Sequence, residues 1–175
     1  MRTATFALFA GIAYVSAGLL GLVPDALEPP ARDAPGVRLT VLYGYLLGVF
    51  PVNIVHSAVH LAIGAGGIYA WRSDHTWRRM TTPKIYARAL AVLYAVLAIL
   101  GVVPGLQTLF GLVPLHGNDV WLHGVTAALA AYFGWRSEAF VDRRAGPPDR
   151  REQAKAVDRE RRFGHADRRD PGSEV

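Results

Sequence analysis

Apolar residues along this chain come in four long blocks, and the polar residues inside them recur at helical rather than strand spacing. Thr3 to Pro24 holds no charged side chain, and Ile85 to Asn118 holds only Arg88. Runs of about 20 apolar residues match a hydrocarbon core about 30 Å thick at 1.5 Å rise per residue. The pattern therefore predicts four transmembrane helices over about 3–23, 53–71, 85–103 and 118–136. The expected fold class is an all-α, four-transmembrane-helix bundle.

The blocks repeat. A shift of 80 residues lays GLLGLVP (Gly18 to Pro24) on AILGVVP (Ala98 to Pro104), and Tyr14 on Tyr94. The second and fourth blocks end alike, in Trp71-Arg72-Ser73 and Trp135-Arg136-Ser137. Two tandem helical hairpins are expected, with repeat units of about 3–73 and 85–137 inside a membrane domain of 1–140. As one copy of a repeated unit, the first segment is expected to remain in the mature chain rather than be cleaved as a signal peptide.

Gly-x-x-Pro ends at Pro24, Pro51, Pro104 and Pro114 mark helix boundaries, because proline lacks a donor and restricts its predecessor. Asn53 and Asn118, or Asp119, are the expected helix caps. Between the first two spans lies LTVLYGYLLGVF, Leu39 to Phe50. Twelve residues are too few to cross a bilayer. They are expected to form a short interfacial helix on the outer side, with Gly105 to Val113 as the shorter counterpart.

Polar residues form one face of each hairpin's second helix. Asn53, His56, His60, Gly64 and Gly67 share a face, as do Asp119, His123, Ala127, Ala130 and Gly134. Aligning Pro51 with Pro114 puts His56 on Asp119 and His60 on His123. The first and third helices carry small-residue stripes, with Gly11, Tyr14 and Gly18 matching Ala91, Tyr94 and Ala98. Such stripes let helices approach closely in lipid. Polar groups are costly in a bilayer and should face the bundle interior. Depth counting then predicts a polar cluster of His56, His60, Asp119, His123, Tyr14 and Tyr94 in the outer half.

Three readings of that cluster compete. In the first it is structural: imidazoles bond to tyrosine, carboxylate or open backbone and fix bundle register, as in a structural or accessory membrane protein. In the second, His56, His60, Asp119 and His123 hold a transition metal, or His60 and His123 hold haem b axially. In the third, the histidines serve proton, quinone or small-solute transport, which four short helices would support only as an oligomer. His116, in the outer loop, is a candidate to join the cluster, but a solvated loop histidine is the expected reading. His75 and His165 are too far away to join. No nucleophile elbow, phosphate loop or H-E-x-x-H signature is present, so no enzyme class is indicated.

Charge sets orientation. The two outer loops hold only Arg32 and Arg38, the 72–88 connection holds Arg72, Arg78, Arg79, Lys84 and Arg88, and eleven basic residues follow from Arg136 onward. Both termini should be cytoplasmic, in a multi-pass protein of the bacterial plasma membrane. The residues 141–175 are expected to be a charged, disordered tail. The lipid bilayer is the expected partner, with anionic lipid for the basic loop and tail, and with a second copy or another membrane protein as candidates. Nucleic acid is not expected, because almost no aromatics interleave the tail arginines. The absence of cysteine removes disulfides, thiolate metal sites and c-type haem attachment.

On LLGVFPVNIVHSAVHLAIG, LFGLVPLHGNDVWLHG and the GLVP and GVVP helix ends, the chain resembles a bacterial family of small four-helix membrane proteins, domain of unknown function 4383. The likeness covers roughly residues 5–136. It implies an integral membrane protein and supplies no activity. His116-Gly117 stands as an insertion before Asn118 relative to the spacing this pattern implies.

Overall fold

A computed structural model describes residues 2–73 and 82–136. The expected charged tail, most of the basic connection, His75 and His165 lie outside the described residues. Four helices carry the fold: α1 (Thr3–Leu20), α2 (Ile54–Ser73), α3 (Pro83–Val102) and α4 (Asn118–Trp135). Each falls within a few residues of its predicted span. α3 starts where expected of a helix, with Thr82 accepting from the Ile85 amide and Pro83 at the first position.

Helices α1, α2 and α3 are long and apolar enough to cross a membrane. Their surfaces agree. Large apolar side chains point outward, including Phe9 and Ile12 on α1 and Val92 and Ile99 on α3, while the interior takes Ala7, Gly11, Gly64, Ala87 and Ala91. That distribution is the reverse of a water-soluble bundle, in which large apolar residues fill the core.

α1 packs along α2, and α3 along α4. α1 and α2 meet backbone to backbone at Gly64, where a Cβ would lie 2.5 Å from the Val15 amide nitrogen and 2.7 Å from the Gly11 carbonyl oxygen. Both atoms are backbone, so neither can move aside. A core of Phe6, Ala7, Ala70, Tyr86, Ala87, Leu90, Ala130 and Phe133 joins the two pairs. Phe6 and Phe133 stack at 4.8 Å, and the Thr3 hydroxyl donates to the Phe133 carbonyl at 3.0 Å.

The fold departs from all-α at one end. The predicted interfacial helix at Leu39–Phe50 is absent. In its place β2 (Gly44–Leu46) and β3 (Phe50–Val52) form an antiparallel hairpin, which β1 (Leu27–Glu28) extends in the order β1-β2-β3. Gly44 and Gly48 interrupt a helix of this length, and Gly48 (φ 70°) and Leu47 (φ 52°) make the turn. Pro51 sits on an edge strand, where its missing donor costs least. The counterpart, Gly105 to Val113, is a chain of turns with one 3-10 turn, Leu109–Gly111. This is the sheet end of the molecule.

Gly64→Ala should lower stability in detergent by about 1–3 kcal/mol, because the new methyl meets backbone. Gly124 is the control, since a methyl group there would meet nothing within 4 Å. Gly124→Ala should be neutral or stabilising by up to about 1 kcal/mol. Thermal unfolding followed by circular dichroism distinguishes the two.

Candidate functional site

The site begins with how α2 and α4 start. Asn53 caps α2: its Oδ1 accepts from the His56 amide at 3.0 Å. Its amide group donates to the carbonyls of Leu39 (3.1 Å) and Leu112 (2.8 Å), one in each inter-helix loop. One side chain therefore ties the helix start to both loops. Asn118 does not act as a cap. Gly117 occupies the capping position with φ 65°, and the exposed Asn118 instead donates weakly to the Val49 carbonyl at 3.4 Å. Asp119, the alternative cap, lies within the first turn and turns inward, 1% exposed.

Asp119 Oδ2 lies 3.4 Å from His123 Nε2 and 3.9 Å from His56 Nε2. The His56 and His60 rings are 4.4 Å apart, and the His56 and His123 rings 6.0 Å. One ring nitrogen from each of His56, His60 and His123 can be chosen so that all three lie within 4.8 Å of one another. All three histidines are at most 5% exposed. Helical period brings His56 and His60 together, and the pairing of the two hairpins adds His123 and Asp119.

The two tyrosines form the floor. Tyr14 meets His60 at 5.1 Å between ring centroids and Tyr94 at 5.2 Å. Tyr94 stands edge-on to His123 at 4.8 Å. The Tyr14 hydroxyl donates to Thr126 Oγ1 at 3.0 Å. Thr126 was not among the predicted residues, although it follows His123 by three positions and so shares its face. All six predicted cluster residues are thus neighbours.

Polar satisfaction is the unusual feature. Among the described residues, neither ring nitrogen of His60 has a hydrogen-bond partner, nor does His123 Nδ1, and His123 Nε2 has the 3.4 Å approach to Asp119 in place of a hydrogen bond. The same holds for His56 Nδ1, which has no partner. Each buried orphan costs about 1–3 kcal/mol. Buried polar groups in folded proteins are nearly always paired.

His116 overturns its expectation. It is 5% exposed rather than solvated, with its ring 6.2 Å from Tyr45. Its Nε2 has no partner among the described residues, and burial pushes its imidazole below the ordinary histidine value. The repeat holds one hint of this: with Pro51 on Pro114, His116 falls on Asn53, the cap of α2.

Among comparisons with known proteins, one family matches, described as a domain of unknown function (DUF4383), over residues 4–136. No curated protein and no solved structure matches the chain.

Asn53→Ala should cost about 2–4 kcal/mol, since it removes a cap and leaves two loop carbonyls without their donor. Asn118→Ala should change stability by no more than about 0.5 kcal/mol, as expected of an exposed position. Equal losses in denaturant unfolding would contradict these roles at the helix starts.

Proposed function

The chain belongs to the DUF4383 family, and from that premise we propose that it is a four-span, metal-binding protein of the bacterial plasma membrane. His56, His60 and His123 would hold one transition-metal ion, with Asp119 as fourth ligand or as charge partner. The observation that carries this reading is His60, buried with neither ring nitrogen bonded, beside His123, whose Nε2 faces the Asp119 carboxylate at 3.4 Å. A purely structural cluster is expected to hydrogen-bond its imidazoles. A metal ion would take one lone pair from each ring.

The spacings are compatible with an ion. Ligands about 2.0–2.1 Å from a tetrahedral centre stand about 3.3–3.4 Å apart. The Asp119–His123 separation of 3.4 Å has that value, while the widest histidine separation, 4.8 Å, asks for a modest inward shift. Imidazole with carboxylate and no sulfur suits zinc, copper, iron, cobalt or nickel. One carboxylate offsets part of the ion's charge in a low-dielectric interior. Haem b fits less well, because Tyr14 packs against His60 at 5.1 Å and Tyr94 against His123 at 4.8 Å, so tyrosine rings occupy the space flanking that pair. Transport fits less well too, because the opposite half of the bundle is packed with Phe6, Ala70, Leu90 and Phe133.

The fourth span is supported by the outward face of α4, where Trp121, Val125, Leu129 and Trp135 are all exposed. The two tryptophans stand about 21 Å apart along the helix, one toward each end. Tandem duplication is supported by matching contacts: Gly21 closes on Ser57, and Gly101 on Leu115 and Val120. Ser57 and Val120 correspond when Pro51 is set on Pro114. The arginine and lysine distribution supports a sheet end outside and both termini in the cytoplasm.

Orientation is tested by single cysteines in this cysteine-free chain. Gly36→Cys should react with an impermeant maleimide on intact cells, and Ser173→Cys only after lysis. The reverse pattern would overturn the topology. For the ion, gently purified protein should carry about one equivalent of a transition metal by elemental analysis. Together, His60→Ala and His123→Ala should abolish it. An ion at about 100 times its Kd should add about 2.7 kcal/mol of stability, removed by chelation. Metal-free protein whose melting is unaffected by zinc, copper, iron, cobalt or nickel would return the cluster to a structural role.

A further inference from the structure

We propose that the ion reaches its site from the sheet end alone, by way of His116, which serves as an entry ligand rather than a resident one. The inference rests on the metal reading above and adds its direction and route.

Two independent observations carry it. The first is the asymmetry of the bundle around the histidines. On the side away from the sheet, the interior is apolar and close-packed, with Phe6 stacked on Phe133 and the α1–α2 interface closed at Gly64. The polar side chains described there, Thr3 and Tyr86, are engaged with the Phe133 and Ile63 carbonyls. On the sheet side, by contrast, buried side chains offer donor atoms. His116, Asp119 and His123 are spaced three and four residues apart, running from the loop into α4.

The second observation is His116 itself. It lies in a loop that closes over the site, since the Pro114 backbone carbonyl two residues earlier approaches the His56 imidazole. Its Nε2 is buried without a partner, and the nearest aromatic, Tyr45, belongs to the β2–β3 hairpin. His116 keeps its Nε2 unpartnered in a loop that runs from Pro114, against His56, to Asp119 of the site. An ion shedding its water there exchanges hydration for imidazole before it meets Asp119.

The test uses full-length protein and cobalt(II) as probe, followed by its d–d absorption in stopped flow. His116→Gln should slow loading by at least about tenfold, with stoichiometry and final spectrum unchanged. Equal loading rates would overturn the proposal, and so would an altered final spectrum, which would make His116 a resident ligand. A second measurement needs no variant. In sealed vesicles of known protein orientation, impermeant EDTA should strip cobalt from the sheet side only, and stripping from the other side would overturn the route. Wild-type protein that takes up no cobalt would instead sink the metal reading itself.

Discussion

Hydrocarbon around a helix bundle removes the usual reason for burying leucine, and this constraint shapes most of what the chain does. Lipid tails solvate apolar side chains as well as a core would, so helices must be held by closeness and by polar contacts. The chain accordingly turns Ile12, Val92 and Ile99 outward and keeps glycine and alanine within. At Gly64 the approach is so close that backbone meets backbone. Bringing helices that near also brings the residues on the same faces together. His60 lies one turn from Gly64, so the contact that joins α1 to α2 also sets how far His60 stands from Tyr14.

The sheet end solves a different problem. Helix starts expose amide groups that need acceptors, and near a membrane surface water reaches them unevenly. Asn53 meets the need at α2 and, with its remaining donors, binds one carbonyl from each loop. The loops brace each other as well: the Arg38 and Leu39 amides both donate to Gly111. The lobe is therefore a cross-linked cover, which explains how a cluster so near the helix starts is almost wholly removed from solvent.

Much of this was legible in the sequence, and the failures have physical causes. Helix positions followed from block length and from Gly-x-x-Pro ends. The cluster followed from helical period plus the alignment of Pro51 with Pro114. The error at Leu39–Phe50 arose because an apolar run of this length satisfies both helix and hairpin patterns. Gly44 and Gly48 were the cue, since they permit a turn that a helix would not need. Asn118 was misjudged because glycine can cap by backbone conformation alone, and Gly117 takes that place. His116 looked solvated because loops usually are. Here the loop is covered by a β-hairpin whose existence the hydrophobic pattern did not reveal.

Under the proposed duplication, the chemistry of the site comes from where the two copies differ. Matching positions would place two histidine pairs face to face, four neutral imidazoles with no anion among them. A divalent ion there would keep its full charge inside a low-dielectric bundle, which is costly. Asp119 stands where the first copy has His56, and it lies between His56 and His123. One substitution in one copy thus supplies a carboxylate without moving any helix. The same logic extends outward: Asn53, which braces the first copy, is matched by His116 in the second. Where one copy kept a structural amide, the other carries a nitrogen with no structural bond to make.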